Sequence, residues 1–473
     1  MRPVVTPEEM RAIDAAAAED LDTLIGRAGW ANAVAARSLL GSVAGRRIVV
    51  LAGPGNNGAD GRVGAQILER WGAKVAVVDA RTWRDASVVW SRCELVIDAA
   101  FGTGLRRPFD APDLAALCPR QPLVLAVDIP SGLDGDTGAV LGSALRADAT
   151  VTFGAIKPGL LFGRGPALAG PVTVADLGLD TSNARIHLLD PDDLASWPNR
   201  AVDAHKWQSA VWVVGGQPSM PGAPRLAATA AARAGAGYVL GSIPGLDAAA
   251  VDLPIEAVGR SIGDDWAADV TRQADRVAAF VLGPGLTTDD RSGEQVRALV
   301  SGVDQPVVLD AGALDAIATG AERLAGSSER TSCLRDRQAL AVLTPHDGEF
   351  ARLMGDPPGS DRVQAARRAA KAYASVVLLK GPVTVVAHPD GRVLLSNAGD
   401  ERLATAGSGD VLSGIIGAGL ALGLEPFAAA GVGAELHGRA ASLGYRRGLV
   451  AGDLPELVAR VLSSLPSREG GKQ

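Results

Sequence analysis

Short apolar runs alternate with longer amphipathic stretches along most of this 473-residue chain. Up to about residue 190, the apolar runs are rich in valine, leucine and isoleucine, and they lie at residues 46–52, 74–79, 94–98, 122–128 and 148–153. Runs of this length and composition predict buried strands, and helical stretches fit between several of them. The alternation predicts a parallel sheet that is covered by helices on both faces.

A second series of the same kind begins with the apolar run AVWVVGG at residue 210. After that point the chain has further apolar runs near residues 238–243, 279–282, 306–310, 339–343 and 375–379. From Gly409 to about Ser464 the pattern is mostly helical. We therefore predict two three-layer α/β/α domains, at residues 1–195 and 200–465.

Three shorter segments add local predictions. Residues 188–209 are polar, contain proline and lack a sustained apolar period, so we predict that they connect the two domains. Residues 322–337 are also polar and are predicted to form a loop. Near the N-terminus, Thr6 precedes Pro7 and Glu9, an order that predicts a helix with a capping box.

Charge and composition narrow the class of protein. A net charge of −7 and a pI of about 5.4 give no overall basic surface for nucleic acid. The three cysteines, Cys93, Cys118 and Cys333, lack the spacing of metal ligands and are typical of a reducing compartment. The N-terminus lacks the apolar core of a signal peptide, and the apolar stretch Val411–Leu424 is too short to span a bilayer. We expect a cytoplasmic protein without nucleic-acid or membrane partners.

A glycine-rich loop follows the first predicted strand. In the stretch GPGNNGADG, Gly53, Gly55 and Gly58 match the dinucleotide-binding pattern G-x-G-x-x-G, and Asp79 ends the next strand about 20 residues later. These residues favour a Rossmann-like domain and leave open an NAD(P)-dependent dehydrogenase. Asp79 is equally typical of a turn at the end of a strand.

Further polar residues follow other strands of the first domain. Asp98 and Asp128 each end a predicted strand, Ser131 lies just beyond Asp128, and Lys157 follows another strand. Ligands of open parallel sheets gather at the carboxyl ends of the strands, so these side chains are candidates for a common site. Oxygen ligands from Asn57, Asp98 and Ser131 suit a small cation, which leaves Asp128 for proton transfer. Taken singly, each aspartate also fits a cap or turn, and Lys157 also fits a solvated position.

The strongest chemical pattern lies in the second domain, in the stretch ATAGSGDVLSGIIGAGLA. Small residues run directly into a predicted helix, and Asp410 lies in its first turn. The backbone amides of residues 406–409 would form an anion-binding site suited to a phosphoryl group in transfer. Asp410 would then be placed to take a proton from a hydroxyl group. The simple structural alternative is a glycine-bounded helix start that is capped by aspartate.

Other motifs of the second domain also follow predicted strands. LTPHDGEF places His346 and Glu349 after one strand, LLKGPVT places Lys380 after the next, and LGPGL forms a glycine turn. Alone, His346 is more typical of a helix cap, Lys380 of a solvated strand end, and Glu349 of an exposed first helical turn. As a set at one sheet edge, they support a phosphoryl-transfer site.

The motifs GPGNNGADG, DAAFGTG and DIPSGLDGD, in this order, resemble the epimerase domain of the NAD(P)H-hydrate repair enzymes. That family acts on NAD(P)HX, reduced nicotinamide cofactors that have taken up water on the ring. The resemblance covers about residues 1–195. It implies substrate contacts at Asn56, Asn57, Gly58, Ala59, Asp60, Gly102, Thr103, Gly104, Leu105, Arg106, Arg107, Pro108 and Asp128.

The same resemblance implies a potassium site that uses the side chains of Asn57, Asp98 and Ser131. One departure from the family pattern is Ala59, where a glycine is usual. If that position needs a positive φ, alanine carries modest strain.

Residues 200–465 resemble the ribokinase-like superfamily, and more closely the ADP-dependent dehydratase domain of the same repair system. The family pattern combines TPHPGE, KG-x-x-T and G-[TS]-GD; here Asp347 stands in place of the usual proline, and the loop before the first strand departs as HKWQS. The likeness implies substrate contacts at Ala223, Gly285, His346 and Asp410, and a magnesium-organising role, through water, for Glu349. It implies nucleotide contacts at Lys380, Gly381, Pro382, Val383, Thr384 and Gly409.

Together, the residues and the resemblance predict a bifunctional cofactor-repair enzyme. The first domain would interconvert the R and S epimers of NAD(P)HX with Asp128 as acid/base and K⁺ nearby. The second would remove water from the S epimer, using ADP and Mg²⁺ to phosphorylate the ring hydroxyl, with Asp410 as base. We expect a homo-oligomer.

Three alternatives are kept open. An NAD(P)-dependent dehydrogenase would exchange hydride with an added substrate. A vitamin or sugar kinase fused to a Rossmann-like binding module would release a stable phosphorylated product. A non-enzymatic scaffold would bind ligands without turnover, and it leaves the residues around Asp410 unexplained.

Overall fold

The computed structural model describes residues 1–263, 265–318, 329–335 and 337–466. The chain divides into two compact units, one formed by residues 2–186 and the other by residues 187–473 together with Met1. Both units are α/β with parallel strands, which confirms the predicted fold class. Among the described residues, no helix combines the length and apolarity that a bilayer crossing requires.

The N-terminal unit begins with a capped helix. The Thr6 hydroxyl accepts from the amide of Glu9, and the Glu9 carboxylate accepts from the amide of Thr6, which confirms the predicted capping box. The elements of this unit are β1 (Arg2–Val4), α1 (Pro7–Ala15), α2 (Leu21–Leu40), β2 (Arg47–Ala52), α3 (Asn56–Arg70), β3 (Lys74–Asp79), α4 (Ser87–Trp90), β4 (Leu95–Ala99), α5 (Leu114–Leu117), β5 (Leu123–Val127), β6 (Ala149–Phe153), α6 (Pro158–Leu161), α7 (Gly165–Leu168) and β7 (Val172–Ala175).

The sheet of this unit has the parallel strand order β3-β2-β4-β5-β6-β7. Alternate residues of β2 enter two different cores. Val50 packs in one core with residues of α2 and α3, whereas Val49 packs in the other with Trp83 and Trp90. Because the chain order reverses on the two sides of β2, the topological switch point lies at the carboxyl ends of β2 and β4.

The C-terminal unit contains a longer sheet. Its elements are β8 (Ile186–Leu188), β9 (Ala210–Val214), α8 (Gly222–Arg233), β10 (Tyr238–Ser242), β11 (Ala257–Gly259), α9 (Trp266–Thr271), β12 (Ala279–Leu282), α10 (Asp290–Gly302), β13 (Val307–Leu309), α11 (Gly312–Ile317), α12 (Glu329–Arg335), β14 (Val342–Leu343), α13 (Asp347–Met354), α14 (Arg362–Tyr373), β15 (Val376–Leu379), β16 (Thr384–Ala387), β17 (Val393–Ser396), α15 (Ser408–Ala421), α16 (Pro426–Leu443) and α17 (Leu454–Ser464).

Its strand order runs β8-β17-β16-β15-β14-β13-β12-β9-β10-β11. The pairs from β15 through β9 to β11 are parallel, and β16 and β17 add antiparallel strands beyond β15. Val211 of β9 packs in a core with α8, α15 and α16, whereas the ring of Trp212 is fully buried on the opposite face and stacks on Phe280 at 6.2 Å. The switch point of this sheet lies at the carboxyl ends of β9 and β12.

The prediction that residues 188–209 form a simple connection is wrong. Leu189, Leu194 and Trp197 belong to the hydrophobic core of the C-terminal unit. The indole Nε1 of Trp197 donates to the carbonyl oxygen of Ala234 at 3.0 Å. A buried tryptophan therefore anchors this segment in the core, although the residues around it are polar. An isolated aromatic residue gives no periodic signal, because tertiary packing rather than local pattern buries it.

The segment 322–337, predicted to be a loop, lies partly outside the described residues, and its residues 329–335 form α12. The short strands β1, β7, β8, β11, β16 and β17 had no counterpart in the sequence-based prediction. Each of these strands has only three or four residues, which gives little periodicity to detect.

Candidate active sites

The glycine loop after β2 is packed too tightly for side chains at two positions. A Cβ on Gly53 would lie 1.8 Å from the carbonyl oxygen of Ala100, and a Cβ on Gly58 would lie 2.0 Å from that of Gly53. By contrast, a Cβ on Gly55 would meet no atom of the described residues within 4 Å. The loop therefore brings the end of β2 against the end of β4, at the switch point, and α3 begins there at Asn56.

A cavity of about 480 Å³ opens at this switch point. Most of the substrate contacts that the resemblance implies line it, whereas Gly58, Ala59, Arg106, Arg107 and Pro108 do not. The predicted residues that line the cavity are Asn56, Asn57, Asp60, Gly102, Thr103, Gly104, Leu105, Asp128 and Lys157.

Asp128 and Lys157 form a buried ion pair in this cavity. The Lys157 ammonium lies 2.7 Å from the Asp128 carboxylate, and its side chain is only 1% exposed. The same ammonium donates to the Thr152 hydroxyl at 3.0 Å and to the carbonyl oxygen of Phe153 at 2.8 Å. The alternative of a solvated Lys157 is therefore wrong. Asp128 also has a φ of 68°, a conformation that costs energy for a non-glycine residue and is typical of functional sites.

Asp60 lines the same cavity in different surroundings. It lies in the first half of α3 and is 7% exposed. Burial, followed by the negative charges of Asp128 and Asp14, raises the pKa of Asp60 to about 8. Burial disfavours the ionised form of a carboxyl group, and nearby carboxylates add to that effect.

The predicted cation ligands combine a buried carboxylate with an unsatisfied amide. Asp98 is fully buried, and its carboxylate accepts from the amide of Ser131 at 2.9 Å and from the Ser131 hydroxyl at 2.6 Å. Burial raises the pKa of Asp98. The side-chain oxygen and nitrogen of Asn57 are buried and have no hydrogen-bond partner among the described residues. Buried polar atoms are almost always satisfied, so the Asn57 amide points to a missing partner.

Local geometry answers two questions that the sequence raised, the backbone strain at Ala59 and the role of Asp79. Ala59 lies inside α3 and is not among the residues with positive φ, so it carries no backbone strain. Asp79 receives hydrogen bonds from the backbone and guanidinium of Arg81, which lower its pKa to about 2. Asp79 is thus a turn residue, as its alternative interpretation held, and it does not line the cavity.

In the C-terminal unit, the helix α15 begins where the small-residue motif predicts. Gly407 is its N-cap with a φ of 91°, and Asp410 lies in its first turn. A Cβ on Gly409 would lie 3.1 Å from the Lys380 ammonium nitrogen. The unpaired amides of a helix start carry partial positive charge, so an anion is favoured at this end of α15.

Asp310 is the centre of the polar cluster below this helix start. Its carboxylate accepts from the Lys380 ammonium at 2.7 Å, from the Thr344 hydroxyl at 2.8 Å and from the Ser413 hydroxyl at 2.7 Å. It is 2% exposed. The sequence-based prediction did not include Asp310 or Ser413. The available signal was the position of Asp310 directly after an apolar strand, in the stretch VVLDAG.

Asp410 lies within the electrostatic reach of this cluster. Burial and the charge of Asp310 raise its pKa, the Lys380 ammonium opposes them, and Glu349 adds a smaller upward effect, with a resulting pKa of about 7. A carboxyl group with a pKa near neutrality is matched to proton transfer at physiological pH.

His346 and Glu349 join the cluster through a capping box at the start of α13. The imidazole Nδ1 accepts from the amide of Gly348 at 3.0 Å, and the Glu349 carboxylate accepts from the amide of His346 at 2.8 Å. His346 therefore caps a helix, as its structural alternative held. Glu349, however, is 6% exposed and its carboxylate lies 4.0 Å from the Lys380 ammonium, so its prediction as an exposed residue is wrong.

The remaining predicted residues border the same sheet edge. Gly285 has a φ of 69°, and a Cβ there would lie 3.0 Å from the Cβ of Ala223 in α8. The loop that begins at Lys380 is held by Arg362, whose guanidinium donates to the carbonyl oxygen of Lys380 at 2.7 Å. Gly381 lies against that guanidinium, and Thr384 begins β16. The rest of the predicted nucleotide contacts, Pro382 and Val383, lie between them in the chain.

Fold and site together define a two-domain α/β enzyme whose second domain carries a kinase-like carboxylate–lysine cluster under a helix N-terminus. Family models agree with this division. The model described as NAD(P)H-hydrate dehydratase matches residues 211–463, and the model described as YjeF-related protein N-terminus matches residues 21–91 and 79–159. The chain belongs to the family of bifunctional NAD(P)H-hydrate repair enzymes, which confirms the predicted family.

Individual relatives support the assignment over nearly the whole chain. The bifunctional NAD(P)H-hydrate repair enzyme Nnr of Moorella thermoacetica is 37% identical over 91% of this chain and 90% of its own. The enzyme of the same name from Escherichia coli is 34% identical over 88% of this chain and 85% of its own.

Solved structures resemble the C-terminal unit. The ADP/ATP-dependent NAD(P)H-hydrate dehydratase from Bacillus subtilis, co-crystallised with ATP and Mg²⁺, is 31% identical with a TM-score of 0.50 and covers 57% of this chain and 95% of its own. A ribokinase-like superfamily protein from Enterococcus faecalis has a TM-score of 0.51 at 20% identity, over 59% of this chain and 95% of its own, which supports the fold.

Proposed function

We propose that this protein repairs hydrated nicotinamide cofactors by two reactions. The N-terminal unit interconverts the R and S epimers of NAD(P)HX, and the C-terminal unit dehydrates the S epimer to NAD(P)H with ADP as phosphoryl donor. The observation that carries the proposal is the cluster of Asp410, Lys380 and Asp310 under the start of α15.

Dehydration needs a better leaving group than hydroxide. Asp410 takes the proton of the ring hydroxyl while the hydroxyl oxygen attacks the terminal phosphoryl group of ADP, and AMP leaves. The backbone amides at residues 406–409 stabilise the charge on the transferring group. Phosphate then leaves from the ring carbon, a neighbouring carbon loses a proton, and the double bond of the dihydronicotinamide is restored.

The nucleotide and Mg²⁺ have suitable partners in this unit. We propose that the loop from Lys380 to Thr384, together with Gly409, contacts the nucleotide, because it lies beside the helix start that favours phosphate. Ala223, Gly285 and His346 would contact the hydrated cofactor. The buried Glu349 carboxylate suits a role in organising Mg²⁺ through water, since hard cations prefer carboxylate and water oxygens. Bound Mg²⁺ would neutralise charge on the phosphates.

In the N-terminal unit, Asp128 is the proposed acid/base of epimerisation. Its carboxylate faces the 480 Å³ cavity and is held by Lys157. The cavity is lined by Asn56, Asn57, Asp60 and the loop 102–105, which we propose as substrate contacts. Gly58 and Ala59 lie in α3, and Arg106, Arg107 and Pro108 are exposed residues that follow Leu105. These five residues do not line the cavity, and we propose that they support the neighbouring substrate contacts.

A potassium ion would fit the residues behind this cavity. The unpartnered amide oxygen of Asn57 and the buried carboxylate of Asp98 offer the hard oxygen ligands that such a cation prefers, and Ser131 supplies a hydroxyl oxygen. The ion would supply positive charge that holds the glycine loop and nearby phosphates. We expect K⁺, but not Li⁺, to raise the melting temperature of the N-terminal unit in the wild type and not in Asn57→Ala.

The activity test uses purified protein with mixed NADHX epimers, ADP and Mg²⁺. Recovery of NADH absorbance from both epimers, with release of AMP and phosphate, supports two working units, and recovery from the S epimer alone supports only the dehydratase. A stable phosphorylated product would favour a small-molecule kinase, and hydride exchange with an added substrate would favour a dehydrogenase. Ligand binding without turnover would favour a scaffold. Comparing NADH recovery with ADP and with ATP identifies the phosphoryl donor.

We further propose that the protein is a cytoplasmic homo-oligomer without nucleic-acid or membrane partners. The acidic net charge of −7 and the three buried free cysteines support a soluble protein of a reducing compartment. Light scattering of the purified chain tests the oligomeric state, and cell fractionation tests the location.

A further inference from the structure

Two carboxyl groups face the N-terminal cavity in opposite electrostatic surroundings. The Asp128 carboxylate is ion-paired to Lys157 at 2.7 Å. Asp60 is 7% exposed, and no lysine or arginine among the described residues lies within ion-pair distance of its carboxyl group. We propose that these two groups divide the proton transfers of epimerisation, with Asp60 as the proton donor and Asp128 as the acceptor. This inference rests on the proposed epimerase function.

The cavity supports this division of roles. The Lys157 ammonium and the Thr152 hydroxyl hold the Asp128 carboxylate in place at the cavity, where it can accept a proton from a bound substrate. Burial and the charges of Asp128 and Asp14 raise the pKa of Asp60 to about 8, so most Asp60 side chains carry a proton at neutral pH. Pairs of carboxyl groups that lie in different surroundings within one cavity are typical of acid/base sites. The charged groups that line the cavity with Asp60 are Arg11, Asp14, Glu19, Asp128 and Lys157.

Lys157 is a positioning residue in this arrangement. Its ammonium has three partners, the carboxylate of Asp128, the hydroxyl of Thr152 and the carbonyl oxygen of Phe153. The ammonium is thereby held among groups of the protein, which suits Lys157 to position the Asp128 carboxylate. Asp60 is a buried carboxyl group of the same cavity with no cationic partner among the described residues, which makes it the candidate for the transferable proton.

The chemistry of the substrate requires both a donor and an acceptor. Water that adds to an enamine places its oxygen on the carbon bonded to nitrogen, so the hydrated ring carries its hydroxyl on that carbon. Asp128 takes the hydroxyl proton, the O–H electrons form a carbonyl group, the carbon–nitrogen bond breaks, and the ring nitrogen takes the proton of Asp60. Rotation about the adjacent carbon–carbon bond presents the other carbonyl face. Reclosure returns both protons, so no oxidant or net proton is needed.

The direct test compares Asp60→Asn with Asp22→Asn in the full-length chain. Asp22 is an exposed carboxylate of α2 that does not line the cavity. We measure the interconversion of R- and S-NADHX without ADP, above the uncatalysed rate, and the dehydration of S-NADHX with ADP as an internal control. We expect Asp60→Asn to lower kcat for epimerisation by about a hundredfold or more with KM changed by less than about threefold. Asp22→Asn should match the wild type, and dehydration should be unaffected in both.

The pH profile provides a readout that a structural role would not give. If Asp60 donates a proton, kcat for epimerisation in the wild type falls as pH rises above about 8. Asp14 contributes negative charge that raises the pKa of Asp60, so Asp14→Asn should move this alkaline limb to lower pH. Asp60→Glu, which restores a carboxyl group, should recover part of the activity that Asp60→Asn loses.

Wild-type kcat in Asp60→Asn, or a loss that lies entirely in KM, would overturn the role of Asp60. The role would also be overturned if the alkaline limb of the pH profile did not move in Asp14→Asn. Equal inactivity of Asp60→Asn and Asp60→Glu would overturn it as well. If the wild-type protein itself does not interconvert the epimers, the proposed epimerase function fails, and this inference fails with it.

Discussion

The Lys380 ammonium lies 2.7 Å from the Asp310 carboxylate, and both groups lie at the carboxyl ends of parallel strands below the start of α15. The same carboxylate accepts from the Ser413 hydroxyl in the second turn of that helix. Asp310 therefore ties the helix start to the lysine that faces it. This connection fixes the position of the Lys380 ammonium relative to the start of α15.

Replacing Asp310 should weaken both the fold and the dehydratase. Asp310→Asn removes charge-assisted hydrogen bonds to buried partners, so we expect a loss of about 1.5–3 kcal/mol in the free energy of unfolding and at least a tenfold loss in kcat/KM. Urea denaturation and the ADP-dependent assay measure these quantities. The matched control is Asp315→Asn, because Asp315 pairs with a half-exposed Arg352, and such pairs contribute about 0–1 kcal/mol. Equal stability of the two variants would contradict the role given to Asp310.

Dehydration should depend on pH through Asp410. A base must be ionised to act, so with a pKa of about 7 we expect kcat/KM for S-NADHX to rise with pH and level off above neutrality. The negative charge of Asp310 raises this pKa, so in Asp310→Asn the midpoint should move to lower pH. A profile that is flat across neutrality, with magnesium held saturating, would argue against Asp410 as the base.

Removing one partner of the Asp128–Lys157 ion pair should destabilise the N-terminal unit more than removing both charges. Lys157→Met leaves the Asp128 carboxylate without its cation, and we expect about 3–5 kcal/mol of destabilisation and loss of epimerisation. The double variant Lys157→Met/Asp128→Asn removes both charges and should recover part of the stability. Calorimetry of the thermal unfolding of the N-terminal unit measures these changes in stability. Dehydration of the S epimer should persist in both variants. A double variant that is less stable than Lys157→Met would contradict this electrostatic origin.

The glycine loop offers a matched pair of substitutions. A Cβ on Gly58 would lie 2.0 Å from the carbonyl oxygen of Gly53, whereas a Cβ on Gly55 would meet no described atom within 4 Å. Gly58→Ala should therefore destabilise the N-terminal unit by about 1–3 kcal/mol or more, and Gly55→Ala by less than about 0.5 kcal/mol. Thermal denaturation distinguishes them. Similar melting temperatures would show that the loop relaxes around the added methyl group.

Much of both candidate sites was predictable because many of their residues directly follow strands. Apolar runs predict the parallel strands of each domain, and parallel strands bring their carboxyl ends to one edge. The sequence therefore places Asp128 near Asp98 in the first domain and, separately, Lys380 near Asp410 in the second. The start of α15 was marked by small residues followed by Asp410. Local pattern was sufficient for Asp128, Lys380 and Asp410, each of which lies within a residue or two of an element boundary.

The missed features depend on tertiary contacts. Asp310 follows its strand as plainly as Asp128 does, but only the arrangement of β13, β15 and α15 shows that it pairs with Lys380 and Ser413. Trp197 is buried by helices distant in sequence, so its polar segment resembled a connection. The raised pKa of Asp60 depends on burial and on the charges of Asp128 and Asp14, which periodicity does not reveal.

The most direct test of the assignment is NADH recovery by Asp410→Asn from mixed NADHX epimers with ADP and Mg²⁺. We predict that recovery falls by at least about a hundredfold while the epimers still interconvert, because the N-terminal unit retains its own carboxyl groups. Asp128→Asn should show the reverse, with repair of the S epimer preserved. Recovery at the wild-type rate in Asp410→Asn would contradict phosphoryl transfer to the ring hydroxyl at the start of α15.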